Sequence, residues 1–393
     1  MIPGLQTGAS YAGPTLCAFP YANPQPDVAD EWNGSARLQE CGLHQIAPFI
    51  GKMKSSMART LVKTFTSPGE TIYDPFSGSG TVALEAWIAG RNVIANDWSP
   101  YAFALTRAKL FPCPSLEQAL AEVDLISRAA HTMASTVDLR TVPAWVRAFF
   151  HPRTLRETIA WAKVLRTQKA YFVLACLLGI LHHQRPGFLS FPSSHTVPYL
   201  REKRFPRADY PELYEYRPVR ERLERKIARA LERLPKVDFE LTRQCYQEDA
   251  ARRGPSRSVS AIITSPPYMR QLDYGRDNRL RLWFLGCPDW RKLDSLVTPS
   301  EDAFIRLLRS CLELWRAVLV QGGTCVLVLG DTRSRRYGLP LADAVVQLAT
   351  REVGGYAMLW RHTEPIPSVR RVRRACCGNS SETVLVLRKE TGA

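Results

Sequence analysis

The sequence predicts an α/β fold, in which a mostly parallel sheet is wound with helices and interrupted by a largely helical insertion. Around the stretch DPFSGSGT, residues 74–81, a short strand, a glycine-rich turn, a helix and a second strand form a βαβ unit. Strand and helix patterns alternate again after residue 237, which is typical of a parallel sheet. The region between them, 113–236, has helical patterning almost throughout.

Three regions follow from these patterns. Residues 1–35 are rich in Pro, Gly, Ala and Asn and are expected to form an irregular arm. The sheet domain is assigned to residues 36–112 and 237–393, and the insertion to 113–236. The predicted strands are 71–73, 92–95, 237–245, 261–264, 324–329, 356–360 and 382–388, and the predicted helices are 53–65, 82–89, 115–133, 143–149, 153–166, 168–184, 217–234, 301–319 and 340–351.

The overall charge favours a polyanionic partner. The chain of 393 residues has a formal net charge of +16 and a sequence pI of about 9.6. The longest apolar run, 171–181, is too short to span a bilayer, which needs about 20 residues. The N-terminal residues lack the pattern of a signal peptide, and the ten cysteines lack the spacing of a zinc knuckle. We therefore expect a cytoplasmic protein with reduced thiols, no membrane contact and no metal.

The stretch DPFSGSGT predicts a ligand-binding turn. Gly78 and Gly80 allow the backbone to approach a ligand closely, and the following helix presents its N-terminus to the same place. Asp97 ends the next strand, where a carboxylate can bind ribose hydroxyls. Alternatively, Asp97 caps the helix that begins near Ser99. Trp98 can stack on an adenine ring or be buried in the core.

The stretch TSPPY, residues 264–268, predicts a stiff segment at a strand end. Proline fixes its own backbone angle and restricts the residue before it, so the Ser265 hydroxyl and the nearby carbonyls should point in defined directions. Tyr268 adds an aromatic ring beside them. A simpler interpretation is that Pro266 and Pro267 only end the strand.

Together, DPFSGSGT and ITSPPY resemble the amino-group DNA methyltransferases that use S-adenosylmethionine, whose motifs are DPF-x-GSG and [DNS]-P-P-[YF]. The similarity covers most of 44–110 and 237–390. It leaves the insertion, 113–236, unassigned, and we regard the insertion as a candidate region for recognition of the DNA target. It implies a Rossmann-like class I methyltransferase sheet with S-adenosyl-L-methionine as cofactor. It implies the cofactor-binding residues Asp74, Pro75, Phe76, Ser77, Gly78, Gly80, Asp97, Trp98 and Asp249, and the catalytic residues Ser265, Pro266, Pro267 and Tyr268.

The chemistry of methyl transfer explains the second motif. An exocyclic amino nitrogen is a poor nucleophile because its lone pair is delocalised into the ring. A polar side chain at 265 and the Pro266 carbonyl can accept its two N–H bonds and direct the lone pair toward the methyl group. Tyr268 would stack on a base flipped out of the duplex. Within the family a serine at the first position usually marks cytosine N4, so N4-cytosine is favoured over N6-adenine.

Two basic runs are candidate contacts to double-stranded DNA. Arg201, Lys203, Arg204 and Arg207 lie in a loop rich in proline and aromatic residues within the insertion. Arg370 and Arg371 belong to a second run before the last strand. Either run could instead be a solvated basic loop.

Other functions remain open at this stage. An RNA methyltransferase that acts on an exocyclic guanine nitrogen shares a similar tetrad, but usually with asparagine in place of Ser265. A catalytically inactive DNA-binding relative would have lost a motif residue, and none is lost here. The resemblance is compatible with a companion restriction endonuclease and a nucleoid-associated location.

Overall fold

A seven-stranded sheet forms the centre of the molecule in the computed structural model, which describes residues 40–183, 187–191, 205–267, 274–296, 300–366 and 380–391. The strand order is β3-β2-β1-β4-β5-β7-β6. Strand β7 runs antiparallel to both of its neighbours. The strands are β1 (Thr71–Asp74), β2 (Asn92–Asn96), β3 (Arg243–Tyr246), β4 (Val259–Thr264), β5 (Leu319–Gly330), β6 (Tyr356–Pro365) and β7 (Ser381–Lys389).

Helices cover both faces of this sheet and fill the insertion. A 3₁₀ turn, Gly42–Gln45, precedes the first helix, and others lie at Leu139–Thr141 and Pro211–Tyr214. The last helix continues into a π-helical segment, Leu348–Val353. The α-helices are α1 (Ser55–Phe65), α2 (Thr81–Ile88), α3 (Pro100–Leu110), α4 (Leu116–Thr136), α5 (Ala144–Arg147), α6 (Pro152–Thr167), α7 (Tyr171–Ile180), α8 (Val219–Leu231), α9 (Tyr274–Asp277), α10 (Arg279–Phe284), α11 (Trp290–Leu296), α12 (Glu301–Val318) and α13 (Leu341–Gln347).

This topology is that of a Rossmann-like class I methyltransferase, as the sequence predicts. The chain order reverses at β1, which pairs in parallel with β2 on one side and with β4 on the other. Ligands in such sheets bind beyond the carboxyl ends of the strands at the point of reversal. The turn at 74–81 and the segment that begins at Ser265 both leave the sheet there, from neighbouring strands.

Alternate residues of the central strands feed two separate hydrophobic clusters. On β1, Ile72 belongs to one cluster and Tyr73 to the other, as the two-residue repeat of a strand requires. The first cluster also includes buried residues of α1, α2 and α3 together with those of the insertion helices α4, α6, α7 and α8. The second cluster lies between the sheet and the helices α12 and α13. The insertion therefore shares one core with the first face of the sheet.

Some element boundaries differ from the prediction. The third strand was expected over 237–245, but pairing with β2 is confined to Arg243–Tyr246. The neighbouring strand β2 is only five residues long. The residues before Arg243 instead pack against α2, where Phe239 contacts the Trp87 ring edge to face at 5.4 Å. The helix expected over 168–184 begins at Tyr171, because Lys169 has a positive φ of 55°.

In the described ranges, no helix has both the length and the apolar character that crossing a bilayer requires. Each of the seven described cysteines is a free thiol.

Candidate active site

A cavity of about 400 Å³ opens at the carboxyl edge of the sheet, above β1, β2 and β4. The segment before α1 closes one side of it with Phe49, Lys52 and Met53. The two sequence motifs meet there, because Ser265 and Pro267 line the same cavity as Ser77 and Gly78. Of the residues predicted to bind the cofactor, those that line the cavity are Asp74, Phe76, Ser77, Gly78, Asp97, Trp98 and Asp249.

The two glycines of the turn have different roles: Gly78 lines the cavity, and Gly80 allows two helices to pack closely. Gly78 has a φ of 51° and donates its N–H to Oδ2 of Asp97 at 2.8 Å. Gly80, with a φ of 70°, lies outside the lining, and a Cβ there would meet Oγ1 of Thr106 at 2.8 Å. Gly80 therefore allows α2 to approach α3. Pro75 also lies outside the lining.

Asp97 supports the turn and the following helix at once. Its Oδ1 accepts the N–H of Ser99 at 2.8 Å, at the start of α3, while its Oδ2 holds Gly78. This bond holds the residue before α3 but does not cap the helix, whose N-cap is Ser99 and which has no side-chain capping bond among the described residues. Burial raises the pKa of the Asp97 carboxyl to about 6, although both backbone N–H bonds act in the opposite direction. Each oxygen retains a lone pair for a ligand hydroxyl.

Asp74 connects the two motifs through the side chain of Thr264. The Thr264 hydroxyl donates to Oδ1 of Asp74 at 2.7 Å and accepts the N–H of Phe76 at 3.1 Å. Thr264 directly precedes Ser265, so the ends of β1 and β4 are held together by side-chain bonds. Asp74 is 2% exposed, and burial, with a further effect of Asp97, raises the pKa of its carboxyl to about 7.

Asn96 is a positioning residue that sequence reasoning missed. Its Nδ2 donates to the carbonyls of Pro75 at 3.2 Å and Glu248 at 3.0 Å. Its Oδ1 accepts the N–H of Glu248 at 2.9 Å, and its own carbonyl accepts the N–H of Ser77. One buried amide therefore joins the segments that follow β1, β2 and β3. The sequence feature that could have indicated this role is a polar residue at the end of a buried strand.

The segment after β4 presents its serine to the cavity. The Ser265 hydroxyl donates to the carbonyl of Val328, on β5, at 3.3 Å. With its proton directed there, the oxygen keeps its lone pairs as acceptors. Pro267 lines the cavity beside it, whereas Pro266 is buried and is not a lining residue. Tyr268 lies outside the described residues.

The far wall of the cavity is aromatic. Phe49 stacks on Tyr101 at 5.8 Å and lies 6.5 Å from Tyr274, centroid to centroid. Tyr274 and Asn278 come from α9 and the residue after it, and Asn278 is buried while its Nδ2 donates to the Tyr274 carbonyl. Phe49 and Tyr274 belong to segments that the family resemblance covers, but sequence reasoning did not single them out.

Trp98 and Asp249 lie where an adenine could enter. Trp98 is 45% exposed, so core burial does not explain it. The Asp249 carboxylate accepts the N–H of Ala251 at 3.0 Å and lies 3.3 Å from Nε of Arg252. Both residues are partly open to solvent and line the same cavity.

Most of the predicted DNA-contacting residues lie outside the described part of the chain. Arg201, Lys203 and Arg204 lie outside the described residues, and so do Arg370 and Arg371. Arg207, from the first basic run, is described and is exposed.

The residues that line the cavity fit S-adenosylmethionine, which is the cofactor of this site. That molecule carries a sulfonium and an α-ammonium group, and a cation bound beside Asp74 and Asp97 would favour the charged forms of these carboxyls, which burial disfavours. Asp97 has acceptors left for ribose hydroxyls, and Trp98 offers an exposed ring for stacking.

A methyltransferase family model matches a part of the chain that contributes to this site. The family model UPF0020, RMKL-like, methyltransferase domain, matches residues 47–138, which is less than a quarter of the chain but contains β1, β2 and the glycine-rich turn. A search of curated proteins gives no significant match.

Solved structures match only distantly. TrmN from Thermus thermophilus is 15% identical with a TM-score of 0.36, and the match covers 88% of this chain but only 52% of TrmN, so the chain spans about half of that protein. The rRNA methyltransferase aviRa from Streptomyces viridochromogenes is 15% identical, with a TM-score of 0.35 and coverage of 90% and 93%. A Thermus thermophilus protein described as a DNA modification methylase is 23% identical with a TM-score of 0.23 over 37% of this chain and 52% of that one.

At these values the solved structures say nothing about the substrate. The matched family model and the cavity together show that the chain contains an S-adenosylmethionine-dependent methyltransferase domain.

Proposed function

We propose that this chain methylates an exocyclic amino group of a base in double-stranded DNA, with N4 of cytosine as the favoured target. The observation that carries the proposal is the position of Ser265, which lies on the wall of the cofactor cavity with its hydroxyl oriented by Val328. The net charge of +16 suits a polyanionic substrate.

The residues around Ser265 are suited to hold an amino group. The hydroxyl oxygen can accept one N–H of the base, and the diproline segment keeps it in place through its restricted backbone. The amino group gives up one proton to solvent as it becomes methylated. When bound, the cofactor supplies an electrophilic methyl group.

The base itself would lie against the aromatic wall. Phe49 and Tyr274 present rings to the cavity, and stacking on such rings repays part of the cost of removing a base from the duplex, which is a few kcal/mol. The role predicted for Tyr268 in this stacking is part of the same proposal.

The experiment is a methyl-transfer assay with labelled cofactor on duplex DNA and on RNA, followed by digestion and identification of the modified nucleoside. We expect N4-methylcytosine. N6-methyladenine would correct the base, and label found only in RNA would correct the polymer. Label in neither nucleic acid, with the cofactor bound, would favour a catalytically inactive relative.

The role of Ser265 is tested by Ser265→Ala. We expect methyl transfer to fall at least about 100-fold, as for loss of a positioned catalytic group, while cofactor affinity stays within about twofold. The matched control is Ser135→Ala, since Ser135 is exposed on α4 and its hydroxyl donates to the Thr132 carbonyl of the same helix. Full turnover of Ser265→Ala would remove this residue from the mechanism.

A further inference from the structure

Two exposed arginines of the insertion are stacked on tyrosine rings. The guanidinium carbon of Arg153, at the start of α6, lies 4.2 Å from the centroid of the Tyr216 ring. That of Arg207 lies 4.8 Å from the centroid of the Tyr214 ring. We call these four residues the arginine–tyrosine surface.

The rings of this surface are fixed by their own hydrogen bonds. The Tyr216 hydroxyl donates to Glu157 on α6, and the Tyr214 hydroxyl donates to the carbonyl of Phe205 at 2.6 Å. A guanidinium stacked on a fixed ring loses little further freedom when it binds an anion, and its N–H groups at the edge remain available.

Glu157 and Glu221 lie near Tyr216, but within the described part of the chain neither arginine of the surface is held in an ion pair. Among the described residues, neither Arg153 nor Arg207 forms an ion pair with a carboxylate, whereas the exposed Arg220 is paired with both Asp124 and Glu224. His151 lies beside them, with its ring 6.0 Å from that of Tyr216. Burial lowers the pKa of His151, and the two arginines lower it further, so all three groups share one region.

Contacts of α10 connect this surface to the cavity. Arg281, on α10, lies over the Tyr101 ring that stacks on Phe49, and its Nε donates to the Leu178 carbonyl near the end of α7. The α6 helix contacts the same α10 from both of its ends: the ring of Phe150, just before α6, lies 5.8 Å from that of Phe284, and Arg166 donates to the Phe284 carbonyl at 2.9 Å.

A continuous path joins the two sites. Asn278 lines the cavity, and the next residue, Arg279, places its guanidinium 5.6 Å from the Trp145 ring on α5. The Trp145 ring contacts Phe149 at 6.5 Å, and His151 follows two residues later. Aromatic contacts therefore connect the cavity to the start of α6, with the guanidinium of Arg279 along the way.

We propose that the arginine–tyrosine surface binds the phosphate backbone of duplex DNA beside the base that enters the cavity. The inference rests on the proposed function for its choice of partner. Arginine on a rigid support matches phosphate geometry through paired N–H groups, and backbone contacts of this kind fix the register of a protein on the duplex.

The test is the salt dependence of duplex binding, measured by fluorescence anisotropy on a labelled oligonucleotide between 50 and 200 mM salt, about the range in which phosphate contacts are resolved. Each phosphate contact contributes about 0.9 to the slope of log Kobs against log salt. We expect the double substitution Arg153→Gln with Arg207→Gln to make the slope shallower by about two.

Two further variants separate charge from structural damage. Arg153→Lys with Arg207→Lys keeps the charge and should retain most of the slope. Arg351→Gln removes an exposed arginine on the π-helical segment at the opposite face of the sheet, and the slope should be unchanged. Cofactor affinity, measured by calorimetry, should be the same in all variants if they are folded.

An unchanged slope in the double glutamine variant would overturn the inference, and so would an equal loss in the lysine variant. Binding of an RNA hairpin, but not the duplex, through the same arginines would overturn the assignment to DNA. The proposed function fails separately: absence of methyl transfer with an arginine-dependent slope leaves this surface in place, whereas a protein that binds no nucleic acid removes both.

Discussion

Replacing Asp74 with asparagine should stabilise the cofactor-free protein. Asp74 is almost completely buried, and its pKa of about 7 means that the folded protein holds its charged form only at a cost. Asparagine has nearly the same shape, and its oxygen can still accept the bond that Thr264 donates to Asp74.

The magnitude and sign follow from proton linkage. In the unfolded chain the carboxyl titrates at its ordinary value of 3.8, so between about pH 4 and 7 the folded state holds a proton that the unfolded state has released. Stability therefore falls as pH rises through this window. Each pKa unit corresponds to about 1.36 kcal/mol. Relative to low pH, Asp74 therefore lowers the free energy of unfolding by about 4 kcal/mol at pH 8 and by about 1.7 kcal/mol at pH 5.

The assay is urea unfolding of both proteins at pH 5 and pH 8. The gain in unfolding free energy caused by Asp74→Asn should be larger at pH 8 than at pH 5 by about 2.5 kcal/mol, and any fixed loss of bonding cancels from that difference. Asp209→Asn, at an exposed position, should show no such difference. An effect of Asp74→Asn that is equal at both pH values would refute the reasoning.

The same carboxylate should make cofactor binding dependent on pH. A cation in the cavity lowers the pKa of Asp74, so binding releases a proton wherever the free protein holds one. We expect the affinity for S-adenosylmethionine to rise between pH 6 and pH 8 and this rise to diminish in Asp74→Asn. Calorimetry in two buffers of different ionisation enthalpy would measure the released proton directly.

Two further substitutions test the packing role of Gly80 and the stacking role of Trp98. Gly80→Ala should destabilise the protein by about 2–4 kcal/mol through the contact with Thr106 and the positive φ, whereas Gly69→Ala, with a φ of 83° and open space around it, should cost only about 1 kcal/mol; equal losses in thermal unfolding would contradict the packing role. Trp98→Ala should weaken cofactor binding by about 1–2 kcal/mol, roughly tenfold, without loss of stability. Leu125→Ala, at a more exposed apolar side chain, should leave affinity unchanged, and equal affinity in both variants would exclude stacking by Trp98.

The sheet and the two motifs could be read from the sequence because each depends on neighbouring residues. A short apolar run defined β4, and the glycines of DPFSGSGT marked the turn after β1. The length of β3 was overestimated from the sequence, because the length of an edge strand depends on its partner, here β2, which lies far away in the sequence.

The supporting contacts of the site could not be predicted in the same way. Asn96 joins segments more than 150 residues apart, and Thr264 joins β4 to Asp74 over 190 residues. A single polar residue carries no local pattern that would reveal such a role. Glu85 is a further example, because its buried carboxylate accepts bonds from His44 and Arg59 beneath the segment that leads to Phe49.

The joint core of insertion and sheet limits how this protein can be re-engineered. The α7 helix is buried along most of its length against α3, and Gly179 lies so close to Ile46 that a Cβ would meet its carbonyl oxygen at 2.1 Å. Excising residues 113–236 would uncover that apolar surface on the catalytic half. An exchange of the insertion with that of a relative would therefore have to graft only the outer loops and retain α4, α6, α7 and α8 as scaffold.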